Sequence, residues 1–290
     1  MSNPQYRGRF APSPTGPLHF GSLVTALASF LEARSQGGQW LIRIEDLDPL
    51  REPPEATGQI LASLDAHGLF PDEPVRFQSR RHDAYQHAVN RLLESGDAYR
   101  CQCSRKELQA NEGRHPNHCR SRRGIDGDRP FAIRFALDDE DCHWQDLLLG
   151  AQHQTVQAEL DDPVILRKEG FYAYQLAVVV DDIDQGITDV VRGSDLLDMT
   201  AQQQQIYRAL GALPPRWLHI PVILNEQGQK LSKQTHAPAL DDDKPVDNLF
   251  RALVALGQNP PANLASGSLD SLLEWGRKNW RRGAIHLTSR

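Results

Sequence analysis

The chain has 290 residues, 39% of them hydrophobic and 24% charged, with a formal net charge of −6. That length suggests about two domains around a sizeable core, and the average composition excludes disordered, collagen-like and coiled-coil classes. The negative charge argues against a nucleic-acid binder that works by bulk attraction, but it leaves room for a local basic surface.

Residues 6–11 read as a first strand, followed by the turn-rich Pro12-Ser13-Pro14-Thr15-Gly16-Pro17. Residues 10–31 carry no charged side chain and are 22 in number, long enough to span a bilayer, but eleven of them are Gly, Pro, Ser, Thr or His. The apolar positions after Gly21 are 23, 26, 27, 30 and 31, one face of a soluble helix over about 21–34. The N-terminus also lacks the continuous apolar core of a secretory signal. The expectation is a cytoplasmic protein with no membrane partner. Gly37-Gly38 ends the helix and Trp40–Ile44 reads as a second strand, so the chain opens as a βαβ unit. Ile60, Leu61 and Leu64 mark a helix closed by Gly68, and Tyr85, Ala88, Val89, Leu92 and Leu93 another closed by Gly96.

From Tyr99 the texture changes. Residues 104–134 hold eight Lys/Arg against four acids, a local charge of +4. Short strand-like pieces follow to about Gly170, so 99–170 reads as an insertion. Ala177–Val180 suits a short buried parallel strand with Asp181-Asp182 at its end. Residues 188–192 read as another strand, and Ser194 as the cap of a helix running to Leu210. Residues 220–224 are apolar, with a proline that argues against a central strand. The tail from about Leu240 is helical, and 266–290 carry five Lys/Arg against two acids. The expected organisation is a first catalytic half over 1–98, the insertion over 99–170, a second half over 171–235, and a small helical subdomain over 236–290.

Three constellations carry chemistry. In the first, a strand ends, prolines stiffen a turn, and a helix begins at Gly21. Its free N–H groups and positive dipole end suit an anion, which Gly21 lets approach the backbone and to which His19 can donate. The second, Lys230-Leu231-Ser232-Lys233, places two ammonium groups where they can neutralise charge on a departing pyrophosphate. The third is Cys101-x-Cys103, His115 and Cys119, a donor set for a closed tetrahedral zinc site, with His118 competing for the histidine place. Cys142 has no neighbouring partner in sequence, and four cysteines are too few for a disulfide scaffold.

Together, His19-Phe20-Gly21-Ser22 and Lys230-Leu231-Ser232-Lys233-Gln234 resemble the paired signatures of class I aminoacyl-tRNA synthetases. Phe20 stands for the usual Ile, Ser22 for the final His, Leu231 for Met and Gln234 for the final Ser. Arg9–Gly16, Arg43–Asp48 and Val179–Asp182 make the likeness one to the glutamyl branch, over about residues 6–234. The resemblance implies an α/β, Rossmann-type parallel sheet with a zinc-containing insertion and a small C-terminal helical subdomain. It also implies that ATP, with Mg2+, and L-glutamate react to glutamyl-adenylate and pyrophosphate. By matched position, Arg9, Ala11, Ser13, Glu45, Tyr174 and Arg192 would bind the amino acid, and His19, Gly21, Lys230 and Lys233 would serve ATP, His19 and Lys233 catalytically. The chemistry agrees: Arg9 and Arg192 can each fork onto a carboxylate, and Glu45 can pair with the ammonium. Tyr172 stands two residues from Tyr174 as its rival.

About 56 residues follow the lysine signature, room for a helical subdomain but not a separate anticodon-binding domain. The short length and Cys-x-Cys pattern resemble the short members of the branch, which have a Tyr where His115 stands. Those enzymes activate glutamate without tRNA and transfer it to the queuosine base in the anticodon loop of tRNA(Asp). The basic 104–134 and 266–290 segments are then candidates to track RNA phosphates. The alternatives are a truncated enzyme charging tRNA(Glu) and an inactive RNA-binding paralogue.

Overall fold

The computed structural model describes residues 5–112, 114–115, 118–121, 129–156, 160–224 and 238–286. The opening βαβ unit forms where the patterning places it: β1 (Arg7–Phe10), α1 (Phe20–Ser35) and β2 (Gln39–Ile44), with β1 and β2 parallel. Helices Ala56–Ala66 and His82–Ser95 follow. Gly68 has φ +68°, and a Cβ there would come within 2.9 Å of Leu273, so this turn needs glycine on both counts.

Seven strands make the main sheet. With β3 (Arg76–Phe77), β6 (Asp141–Asp146), β7 (Gly150–Thr155), β9 (Asp189–Gly193) and β10 (Arg216–Ile220), its order is β3-β2-β1-β9-β10-β6-β7. All neighbours are parallel except the edge pair β6–β7. The order reverses beside β1, so β1 and β9 flank a switch point, and the crevice beyond their carboxyl ends is where such sheets bind ligands. A second sheet, β4 (Ala98–Cys101), β5 (Ala132–Phe135) and β8 (Val164–Leu166), is antiparallel. The stretch 99–170 therefore feeds two sheets. Its outer strands build the small one, while its β6–β7 hairpin joins the main one through Trp217 opposite Asp146.

Three readings need correction. Residues 177–180 are not a strand: they lie inside the helix Tyr174–Asp184, with Leu176 to Asp182 all buried. A short apolar run has the same appearance in a buried strand and in a helix surrounded by protein. This helix is enclosed by the helices His82–Ser95 and Thr200–Ala209 and by β8, and that packing overrides the strand preference of three valines. Ser194 does not cap one long helix; a 3-10 segment, Ser194–Met199, precedes the helix Thr200–Ala209. The apolar run at 220–224 contributes only Ile220 to β10, which stops before Pro221 because proline has no N–H for the ladder.

α1 is more deeply buried than a one-faced helix. Ten of its residues, including Ser29 and Glu32, are inaccessible. The sheet covers one side, and the helices Pro245–Ala255 and Leu269–Asn279 cover the other. Leu249, Leu253 and Leu272 enter the same core as Leu27 and Leu31. Among the described residues, no helix is long and apolar enough to cross a membrane.

Candidate active site

The switch-point crevice opens into two adjoining clefts. One, of about 470 Å³, lies at the start of α1 and is lined by Ala11, Ser13, His19, Gly21, Gly193 and Pro221 among others. The other, of about 90 Å³, is lined by Glu45, Asp48, Arg51, Gln78, Arg167 and Tyr174 among others. Ser13 and Thr15 border both.

His19 caps α1. Its Nδ1 accepts from the Ser22 amide at 3.2 Å and its Nε2 lies 3.0 Å from the Ser22 hydroxyl. Lys230 and Lys233 lie outside the described residues.

Behind the smaller cleft sits a buried charge cluster centred on Asp182. Its carboxylate accepts from Arg9 Nε at 3.0 Å and Nη2 at 3.3 Å, from Arg43 Nη1 at 2.7 Å, and from the Tyr207 hydroxyl at 3.1 Å. Burial opposes the Asp182 charge, but Arg43 and Arg9 outweigh it and hold the carboxyl below its ordinary range. Burial likewise opposes the charge of Arg9, and Asp182 keeps it protonated. Arg9 thus turns its Nε–Nη2 edge toward the protein. Asp181, one residue earlier, accepts from Gln78, Arg81 and Tyr85 at 2.7–2.8 Å and ties the helix to its neighbours.

Glu45 follows β2 and shares a strand face with Arg43, whose Nη2 is 3.4 Å from Oε1. Burial pushes the Glu45 carboxyl up from 4.5 to about 7, against the opposing pull of Arg43 and Arg9. Its side chain lines the smaller cleft.

Arg192, on β9, is buried and held on three sides: Nε donates to His219 Nε2 at 2.9 Å, Nη1 to Gln203 at 2.7 Å and Nη2 to Thr200 at 2.9 Å. Burial lowers the Arg192 pKa, and the nearby Tyr174 opposes that shift. His219 Nδ1 donates to Asp146 at 2.6 Å, which fixes the tautomer and leaves Nε2 as the acceptor. Burial lowers the His219 pKa, so the ring stays neutral. The line Asp146–His219–Arg192 crosses β6, β10 and β9. Sequence reading missed all but Arg192, since nothing local pairs residues 73 and 27 positions apart. Asp182 had a usable signal: on a helix, 178, 181 and 182 share one face with Tyr174.

The third constellation also assembles. The donor atoms of Cys101, Cys103, His115 and Cys119 all lie within 4.8 Å of one another, and all four residues are buried. Cys101 Sγ is 3.3 Å from His115 Nε2, and Cys103 Sγ is 3.6 Å from Cys119 Sγ. A tetrahedral ion with bonds of ~2.0–2.3 Å separates its ligands by about 3.5 Å, so the spacing fits. Tyr99 donates to Asp162 at 2.6 Å and its oxygen lies 3.2 Å from His115 Nδ1, so it accepts from Nδ1–H and leaves the lone pair on Nε2. That support belongs to His115; the side chain of His118 lies outside the described residues. Cys142 is buried apart from this cluster, its thiol 3.4 Å from Glu140.

A Rossmann-type sheet with an anion-ready helix start and an acidic, guanidinium-backed pocket at its switch point defines a class I synthetase catalytic unit. The family model for the catalytic domain of class I tRNA synthetases (E and Q) matches residues 5–263, and the chain belongs to that family. It is 47% identical over 281 residues to the glutamyl-Q tRNA(Asp) synthetase of Vibrio vulnificus, covering 97% of this chain and 91% of that protein. To the protein of the same name from Chromobacterium violaceum it is 50% identical over 287 residues, covering 97% and 95%. Among solved structures, the glutamate tRNA ligase of Elizabethkingia meningosepticum, in complex with its amino acid, superposes with a TM-score of 0.81 at 27% identity. That match covers 97% of this chain and 66% of the ligase. The protein is an aminoacyl-tRNA synthetase-like ligase of the glutamate type.

Proposed function

We propose that this protein activates glutamate with ATP in the absence of tRNA and transfers it to the queuosine base in the anticodon loop of tRNA(Asp). The observation that carries the reading is the pair of clefts meeting at Ser13 and Thr15, one lined by Glu45 and Tyr174 and the other by the start of α1. The names of relatives close to half identical supply the RNA target.

In the first step, Glu45 takes the ammonium of glutamate, while Arg9 Nη1 and the Arg192–Tyr174 pair meet its carboxylates. Ser13 borders both clefts, and Ala11 lines the larger one. ATP, carried with Mg2+, lies along Gly21 at the N-terminus of α1, where dipole and free amides favour phosphate. His19 reaches a phosphate oxygen by releasing the Ser22 hydroxyl. The α-carboxylate oxygen attacks the α-phosphorus, the bond to the β-phosphate breaks, and pyrophosphate leaves with its charge met by Lys230 and Lys233. In the second step the queuosine base displaces AMP from the activated carboxyl. Zn2+ held by Cys101, Cys103, His115 and Cys119 would fasten β4 to the Cys119 segment, a structural role. The basic residues of 104–134 and 266–290 are the proposed track for the stem-loop. A cytoplasmic location accords with these substrates.

The test measures exchange of labelled pyrophosphate into ATP with glutamate and no tRNA, then transfer of labelled glutamate to tRNA(Asp) with and without queuosine. Exchange without tRNA, and transfer only to the queuosine-bearing tRNA, are expected. Exchange that requires tRNA, or charging of tRNA(Glu) instead, refutes the proposal. Lys233→Ala that leaves activity unchanged also counts against it.

A further inference from the structure

The β6–β7 hairpin carries three metal-ligating side chains on its solvent face. His143 stands directly opposite His153 in the antiparallel register, and Asp141 precedes His143 by two residues, so it points the same way. The two imidazole rings lie 4.8 Å apart with planes inclined by 32°. His153 Nε2 is 3.5 Å from Asp141 Oδ1, and the Thr155 hydroxyl bonds the same oxygen at 2.9 Å, fixing the carboxylate beside the rings. One donor atom from each of the three falls within 4.8 Å of the others. All three residues are exposed, and β7 is an edge strand, so nothing described covers them.

We propose that Asp141, His143 and His153 form an open, exchangeable site for a borderline divalent ion such as Ni2+, Co2+ or Zn2+, separate from the cysteine cluster. Two imidazoles and one carboxylate suit such ions over Mg2+ or Ca2+, which take all-oxygen sets. Bonds of ~2.0–2.1 Å place tetrahedral ligands about 3.3 Å apart, so the Asp141–His153 separation already fits and the rings close by rotation of exposed side chains. The rigid part is the backbone: the cross-strand pair sets the spacing, and the hairpin is anchored by Cys142 and Asp146, which point into the protein. Three protein donors leave coordination positions for water or an external ligand.

Ni2+ titration by calorimetry on the untagged, full chain tests this. Wild type, His143→Ala/His153→Ala and Asp141→Ala are compared with His87→Ala, a histidine on a different face. Binding to the hairpin predicts one Ni2+ site that weakens at least tenfold, about 1.4 kcal/mol, in the double variant and is unchanged in His87→Ala. All variants should keep the wild-type melting temperature in the absence of Ni2+, since the substituted side chains are exposed. Undiminished Ni2+ binding in the double variant assigns the ion to the cysteines or elsewhere and overturns the proposal. Absence of any Ni2+ binding by the wild type overturns it equally.

Discussion

Glu45→Gln separates what the site needs from what the fold prefers. The substitution keeps side-chain volume and removes a carboxylate whose burial pushes it from 4.5 to about 7. The folded protein therefore holds a proton that the unfolded chain gives up. The stability associated with that proton is fully present below pH 4.5 and lost as pH rises through about 7. At about 1.36 kcal/mol per tenfold change in proton affinity, the span from 4.5 to 7 amounts to about 3 kcal/mol. Urea unfolding of wild type and variant across pH 4.5–8.5 should show the difference moving by about 3 kcal/mol in favour of the variant as pH rises. Glutamate binding should move the other way. Loss of a charge-assisted bond to the ammonium costs about 1.5–3 kcal/mol, a weakening of roughly 10- to 100-fold. Near pH 7 the arriving ammonium should also draw the carboxyl down and release a fraction of a proton, seen as a buffer-dependent binding enthalpy. A stability difference that stays flat with pH refutes the burial argument; unchanged glutamate affinity refutes the assigned role.

Asp182→Asn should destabilise the protein by about 3–5 kcal/mol in denaturant, because it strips the shared carboxylate from Arg9 and Arg43 and leaves two buried cations short of charge. His219→Ala should raise the KM for glutamate and lower stability by about 2–3 kcal/mol, since Arg192 loses an acceptor and Asp146 a donor. His219→Gln, which retains an acceptor toward Arg192, should recover part of the KM. A purely structural role would leave KM untouched in both variants. Chelation, or Cys103→Ala, should lower the melting temperature; a loss of ~2 kcal/mol corresponds to roughly 4–8 °C in a chain of this size. Pyrophosphate exchange by the protein that remains folded should persist, which distinguishes a structural ion from a catalytic one.

The parts of the site legible in the sequence are those encoded locally. The strand, proline turn and helix start around His19 and Gly21 form within one βαβ unit. Arg43 and Glu45 share a face because they are two apart on a strand. Cys101, Cys103, His115 and Cys119 lie within one short stretch whose donor types already suit a metal. Each follows from backbone period or close spacing, which a linear reading can measure.

Tertiary structure decided the rest. The segment containing 177–180 became a helix because protein surrounds it on every side, and only as a helix does it carry Asp182 to Arg9, 173 residues away in the chain. The β6–β7 hairpin left its neighbours in the 99–170 stretch and joined the main sheet, bringing Asp146 to His219 and so to Arg192. The same move placed His143 opposite His153 on an open edge. Local preference determined which groups this protein had available. Which carboxylate meets which guanidinium depended on long-range packing, where desolvating a charge is tolerable only once its partner is in place.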